Sequence, residues 1–244
     1  MPWKVAIIGS KGRMGAALLS SAEKLGIEIA GAVDQGEDPI PAIENCDAVI
    51  DFSFHEATPF IAQLAAEKGK PLTIGTTGHS PDERESILKH TGTIPIVWAG
   101  NFSTGVNLLF YLTKKAAEAT GADFQPEIIE MHHRHKVDAP SGTAEGLIKA
   151  VRQARGTSEK HIQHGRKGIT GERPDEQIGV HALRGGSVVG EHTVMLVSDN
   201  ERIELTHKAS DRSIFADGAM KAAEWSQGKE PGLYEMLDVL GLKD

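Results

Sequence analysis

Trp3-Lys4-Val5-Ala6-Ile7-Ile8-Gly9-Ser10-Lys11-Gly12-Arg13-Met14-Gly15 is the stretch that decides the fold. It starts as an apolar run, passes through a glycine-rich turn and opens a helical pattern over residues 13–25, with Met14, Leu18 and Leu25 among the apolar positions. An unbroken apolar run reads as a strand buried on both faces. Glycines let the backbone turn tightly and approach a phosphate. The helix N-terminus behind them offers free N–H groups and a positive dipole end to a pyrophosphate. The spacing is G-x-x-G-x-x-G, not the G-x-G-x-x-G of most dinucleotide binders, and such turns also serve packing.

Asp34 strengthens the nucleotide reading. It closes a second strand-like run, residues 27–33, and stands 19 positions after Gly15. An acidic side chain there can accept hydrogen bonds from ribose hydroxyls, although alone it also suits a turn or a helix cap. A 2′-phosphate would be repelled by it. Gln35 follows where an arginine could have clamped that phosphate, while Lys11 could still reach it. The pair Asp34-Gln35 therefore favours NADH, with some use of NADPH.

Working outward, residues 47–52, 71–74 and 94–98 are further short apolar runs, separated by helical patterns over 56–68 and 81–90. Phe60, Ile61 and Leu64 are expected on one face of the first of these helices. This β-α-β-α order argues for a parallel sheet with helices on both faces. Gly75-Thr76-Thr77-Gly78 and Ala99-Gly100-Asn101-Phe102 follow two of the strands. Ligands bind at such strand ends in open α/β sheets, though a plain turn reads the same way. Beyond Asn101 the pattern changes. A long helix (106–120), a strand (127–130) and a helix (144–155) precede a polar stretch, 156–176, read as a loop. Strand-like runs follow over 178–183, 188–197 and 202–207, the last two joined by a turn at 198–201, so the second half is expected to form an open sheet with two helices. A closing helix over 215–225, with Met220, Ala223 and Trp225 as apolar contacts, is expected to pack back on the first half.

Composition narrows the function. With 26 basic and 34 acidic residues the formal charge is −8, which disfavours a nucleic-acid or anionic-membrane partner. The lone Cys46 fits a reducing compartment and reads as a small buried apolar residue. No signal peptide or membrane span is visible, so a cytoplasmic location is expected.

Glu130-Met131-His132-His133-Arg134-His135-Lys136-Val137-Asp138-Ala139-Pro140-Ser141-Gly142-Thr143 carries the chemistry. Three of the eleven histidines fall within four residues, beside an arginine and a lysine. In an acidic chain this is a focused positive patch suited to an anionic substrate. Histidine exchanges protons near neutral pH, and lysine can donate to a developing anion. Ser141 can cap a helix whose first N–H groups, at Gly142 and Thr143, can bind a carboxylate. A metal site lacks accompanying ligands at known spacing, and Lys136 would oppose a dication. A solvated basic loop remains open on the residues alone. A nucleic-acid patch would need interleaved aromatics, which are missing.

Residues 127–144 resemble the signature of the dihydrodipicolinate (4-hydroxy-tetrahydrodipicolinate) reductase family. The resemblance extends to Gly9–Gly15, Gly75-Thr76-Thr77-Gly78, Asn101-Phe102, Gly190-Glu191-His192-Thr193 and Thr206-His207-Lys208-Ala209-Ser210, nearly the whole chain. It implies an α/β architecture: a Rossmann-type dinucleotide-binding domain over 1–103 completed by 214–244, and an α+β domain over 104–213 with an open mixed sheet that binds substrate and builds a homotetramer. The implied reaction is NAD(P)H-dependent reduction of a small dicarboxylate in diaminopimelate and lysine biosynthesis. It implies His132 as proton donor or acceptor and Lys136 as second donor. His133 and the Ser141, Gly142 and Thr143 helix start would contact the dicarboxylate. Gly9, Ser10, Lys11, Gly12, Arg13, Met14, Asp34, Gly75, Thr76, Thr77, Ala99, Gly100, Asn101 and Phe102 would line the cofactor, with no metal. Many members carry arginine where this chain has Gln35. A different two-domain dehydrogenase would need the cofactor end but not the His-His-x-His-Lys loop with Ser-Gly-Thr. A nicotinamide-sensing protein would not need an acid beside an anion cradle.

Overall fold

A computed structural model describes residues 3–243 of the chain. Its strands are β1 (Lys4–Ile8), β2 (Glu28–Val33), β3 (Ala48–Asp51), β4 (Leu72–Ile74), β5 (Pro95–Trp98), β6 (Gln125–His132), β7 (Ile162–His164), β8 (Ile178–Arg184), β9 (Gly190–Val197), β10 (Arg202–Ala209) and β11 (Gly232–Tyr234). Its helices are α1 (Arg13–Leu25), α2 (Ile40–Glu44), α3 (Thr58–Glu67), α4 (Pro81–Leu88), α5 (Thr104–Thr120), α6 (Gly142–Arg155), α7 (Ser213–Ser226) and α8 (Met236–Val239). The chain divides into two units. One runs to Thr104 and resumes at Arg212; the other is Gly105–Asp211.

In the first unit six parallel strands lie in the order β11-β5-β4-β3-β1-β2. The opening strand explains the layering. Ala6 and Ile8 enter one core with Ile61, Leu64 and Leu72, while Val5 and Ile7 enter another with Leu18, Ala22, Ala219 and Ala223. Side chains alternate across a strand, so a strand covered on both faces must be apolar throughout. α1 has the bounds that its pattern predicts and stops at Gly26, whose left-handed φ of 68° suits glycine. α7 lies along α1, with the Ser21 hydroxyl donating to Asp217 Oδ1 at 2.7 Å. Gly218 lets α7 approach the segment after β5 as well, because a Cβ there would sit 1.8 Å from the Phe102 carbonyl oxygen. β11 pairs with β5 at the edge.

One expectation fails on α3. The helix buries Thr58, Ile61, Ala62, Leu64 and Ala65, and Phe60 is 54% exposed. Positions 58, 61, 62 and 65 follow the i, i+3, i+4, i+7 stripe, and 60 falls outside it.

In the second unit five strands lie in the order β10-β9-β6-β8-β7. β9 runs antiparallel to β10 and β6, and β8 parallel to β6 and β7. On β6 the residues Pro126, Ile128, Glu130 and His132 are buried, and those between them are half-buried. Ile128, Val180, Val194 and Leu196 pack against Leu109 of α5 and Leu147, Ile148 and Val151 of α6. Gly146 lets the helices close, since a Cβ there would come within 2.6 Å of the Phe110 ring. The same period of two that buries Ile128 therefore carries Glu130 and His132 inward.

Residues 156–176, read as one loop, contain a 3₁₀ turn (Glu159–His161) and β7, which extends the sheet beside β8. A three-residue strand among glycines and charges shows no period, which is why it was missed. The remainder is pinned by Glu127, whose carboxylate accepts from Arg166 Nη2 (2.7 Å), Arg173 Nε (3.1 Å) and His181 Nε2 (2.9 Å). Burial pushes this carboxyl up, but the hydrogen bonds from Arg166, His181 and Arg173 outweigh it and hold it down at about 2. A carboxyl depressed in the folded state stabilises fully above its ordinary value near 4.5 and loses that contribution as pH falls through about 2. Glu127→Gln should lack that acid-limb loss, about 3 kcal/mol. Urea midpoints between neutral pH and the acid limb check this; parallel pH curves for the two proteins would refute it.

Candidate active site

The glycine turn of the first unit is shaped by close approaches. Gly9 has φ 84°, and a Cβ on it would lie 2.4 Å from the Phe52 carbonyl oxygen. A Cβ on Gly15 would lie 2.3 Å from the Gly9 carbonyl oxygen. Gly12 is the N-cap of α1 and has no side chain to cap it. The helix thus presents backbone donors and its positive dipole end at the turn, as an anionic pyrophosphate requires. Asp34 faces the same turn. Its Oδ2 accepts from the Lys11 amide at 2.7 Å and its Oδ1 from the Gln35 amide at 2.8 Å, and the Lys11 bond leads the effects that lower its carboxyl. These residues fit a dinucleotide.

Glu37 joins them and escaped the sequence reading. Its Oε1 accepts from Lys11 Nζ and its Oε2 from the Asp34 amide, at 2.7 and 2.8 Å. Nothing in the sequence marks Glu37 apart from its place after Gly36, whose φ of 84° folds the loop back.

At the other strand ends, Thr76, Thr77, Ala99 and Gly100 share one cavity of about 260 Å³ with Trp98 and Glu235. The Gly75 and Thr76 amides donate to the Asp51 carbonyl at 2.9 and 3.3 Å. Asp51 is itself fully buried, and that burial pushes its carboxyl up against the opposing bonds from Ser53. Asn101 Oδ1 accepts from the Ser103 amide at 2.9 Å. The Phe102 side chain is 1% exposed and packs on Phe52 with ring centroids 5.7 Å apart, so it belongs to the core.

The second unit gathers the other predicted residues around one carboxylate. Glu130 is fully buried. Its Oε2 accepts from Arg184 Nη1 and meets His132 Nδ1, both at 2.7 Å. Its Oε1 accepts from Arg184 Nη2 at 2.8 Å and from the Ser141 amide at 3.1 Å. Burial pushes Glu130 up, and the bonds from Arg184 and His132 more than reverse this. An ionised acceptor at Nδ1 means that this nitrogen carries the proton, so Nε2 is the one that exchanges. Gly190 leaves room for it, since a Cβ there would lie 3.0 Å from His132 Nε2. The His192 ring stands edge-on to His132, centroids 5.1 Å apart. Burial, then the neighbouring His132, push His192 down to about 4, so it is neutral at neutral pH.

Ser141 caps α6. Its Oγ accepts from the Ala144 amide at 3.2 Å and lies 3.0 Å from His192 Nε2. Gly142 and Thr143 form the first residues of that helix. Lys136 Nζ donates to both Asp138 oxygens, at 2.8 and 2.9 Å, and the Asp138 carbonyl accepts from Arg184 Nη2 at 2.7 Å. The contacts thus run His132–Glu130–Arg184–Asp138–Lys136. His133 is half-buried, its ring 6.2 Å from that of His135, and its carbonyl accepts from the Lys136 amide. Arg184 is the member that sequence reading passed over, and His192 was quoted for the resemblance without a role. Among the described residues no group of three or more histidine, cysteine or acidic residues could hold a metal, and no helix is long and apolar enough to cross a membrane.

A parallel sheet with a glycine turn and an acid at the next strand end, joined in one chain to a mixed sheet carrying an oriented histidine beside a helix start, defines a pyridine-nucleotide oxidoreductase. Comparison with known proteins makes the class specific. The family models for the N-terminus and C-terminus of dihydrodipicolinate reductase match residues 3–102 and 105–240. The chain belongs to the dihydrodipicolinate reductase family. It is 50% identical over 240 residues, covering 98% of both chains, to the 4-hydroxy-tetrahydrodipicolinate reductase of Akkermansia muciniphila. It is 44% identical over 269 residues, covering all of both chains, to that of Magnetococcus marinus. Its fold is similar to dipicolinate-bound dihydrodipicolinate reductase from Paenisporosarcina sp. TG-14, with a TM-score of 0.77 at 20% identity over 98% of this chain and 99% of that one.

Proposed function

We propose that the protein reduces 4-hydroxy-tetrahydrodipicolinate to tetrahydrodipicolinate, in diaminopimelate and lysine biosynthesis, at the site built around Glu130. The observation that carries this reading is one buried carboxylate, Glu130, that holds both His132 Nδ1 and the Ser141 amide at the start of α6. One hydride and one proton enter and one water leaves, which balances the loss of the hydroxyl. When bound, the reduced nicotinamide supplies the hydride. The residues that would hold that cofactor are Gly9–Met14, Asp34, Gly75–Thr77 and Ala99–Asn101, with the pyrophosphate at the α1 N-terminus and the buried Phe102 packed behind the last of these segments.

His132 moves the proton at Nε2 while Glu130 holds Nδ1. Lys136 is the second donor, and a preorganised cation beside a developing charge contributes several kcal/mol, order of magnitude. Ser141, Gly142 and Thr143, with His133, take one substrate carboxylate and so fix the ring for transfer. Neutral His192 adds no repulsion to the proton carried by His132.

In this reading residues 1–103 with 214–244 bind the nucleotide, and 104–213 bind substrate and form the homotetramer. The half-buried Ile129, Met131, Met195 and Val197 on the outward side of the mixed sheet support an assembly through that face. Asp34 followed by neutral Gln35 supports NADH as the preferred donor, and the buried free thiol of Cys46 accords with a reducing cytoplasm. Incubation with freshly generated substrate should oxidise NADH, and NADPH more slowly, measured by the loss of nicotinamide absorbance. No oxidation of either by the folded protein would refute the reading.

A further inference from the structure

The loop after β2 places a carboxylate on two donors at the glycine turn. Glu37 Oε1 takes the Lys11 ammonium at 2.7 Å, and its Oε2 takes the Asp34 amide at 2.8 Å. Lys11 is the cation of the glycine turn, and the Asp34 amide is the backbone donor at the end of the second strand. Both lie beside the carboxylate positioned for the adenosine ribose. Resting on the nucleotide reading given above, we infer that Glu37 is a specificity residue: it occupies the 2′-phosphate subsite in place of the phosphate and sets the preference for NADH.

The charges support this. A 2′-phosphate brings a charge of about −1.5 to −2 to a place already holding Asp34 and Glu37. The cation that contacts them is Lys11, and Gln35 beside Asp34 is neutral. For NADPH to bind, Glu37 must swing away and release both donors. For NADH it can stay, because a 2′-hydroxyl needs only the Asp34 carboxylate. The Lys11–Glu37 pair is well exposed, with side chains 68% and 44% accessible. Exposed pairs are weakly held, so the displacement lowers NADPH affinity without abolishing it.

The test is direct binding, read by quenching of protein fluorescence with NADH and NADPH on the unmodified protein, Glu37→Gln, Lys11→Met and the double variant. In Glu37→Gln the ratio of the NADPH Kd to the NADH Kd should fall about fivefold, the size expected for one exposed charge pair. The double variant should lose that gain, because the freed Lys11 is what the phosphate uses. An unchanged ratio in Glu37→Gln overturns the inference, as does a gain that survives in the double variant. If both nucleotides bind the unmodified protein, such a failure touches Glu37 alone. If neither binds, the nucleotide reading falls and takes the inference with it.

Discussion

Arg184→Met is expected to cost about 3–5 kcal/mol of stability, the usual penalty for leaving a buried charge without its partner. Arg184 makes both of the Glu130 bonds that come from a cation, and Glu130 has no exposed surface. Without the guanidinium, burial is the largest remaining influence on this carboxyl and pushes it up. A protonated Glu130 can no longer accept from His132 and Ser141 as the carboxylate does, so orientation is lost along with charge. A second substitution separates the two effects. Glu130→Leu with Arg184→Met removes both charges, and replacing a buried pair by apolar side chains is often neutral for stability. The double variant should therefore recover most of its urea midpoint while its turnover stays low. If Arg184→Met loses less than about 1 kcal/mol, the pair is not the support described.

His132→Ala and Lys136→Ala should each lower kcat by about 10²–10⁴-fold, the range for a positioned acid or base, with smaller changes in KM. Both side chains are poised by neighbours rather than by substrate: His132 Nδ1 sits on Glu130, and Lys136 Nζ sits on Asp138. Their loss removes proton transfer and leaves the Ser141–Thr143 cradle in place. Steady-state kinetics decide it, and near-native turnover in both variants would sink the assignment. His132 closes its strand and Lys136 lies in a loop, so circular dichroism should show unaltered folding in each.

Much of the architecture was legible because its signals are local. The continuous apolar run at Val5–Ile8, the glycine turn and the cap of α1 lie within one stretch, and the predicted helix has the bounds found. β7 was not legible, because three residues carry no period and its partner β8 lies beyond a polar loop. Phe60 was misplaced because its side chain fits an apolar face in composition but not in angle. The chemical segment could be read as a charged loop before a helix start. Its support could not, because Arg184 stands 54 positions after Glu130 and reaches it only through the β6–β8 pairing. Glu37 was hidden for a similar reason: its contact with Lys11 spans 26 positions and is made by a turn, not by a repeat.

The re-entry of the chain into its first unit carries a cost in time. β11 and α7 are made last, after every residue of the second unit. On the ribosome β5 is therefore an open edge, since the strand that covers it has yet to emerge. One face of the nascent sheet, with Val5, Ile7, Ala48 and Ile50, likewise waits for Ala219 and Ala223. At ~5–20 residues per second the wait from Trp98 to Gly232 lasts about 7–27 s, with an unprotected parallel edge throughout. Until β11 arrives, the β5 edge is the place on the nascent chain most open to pairing with a neighbouring copy.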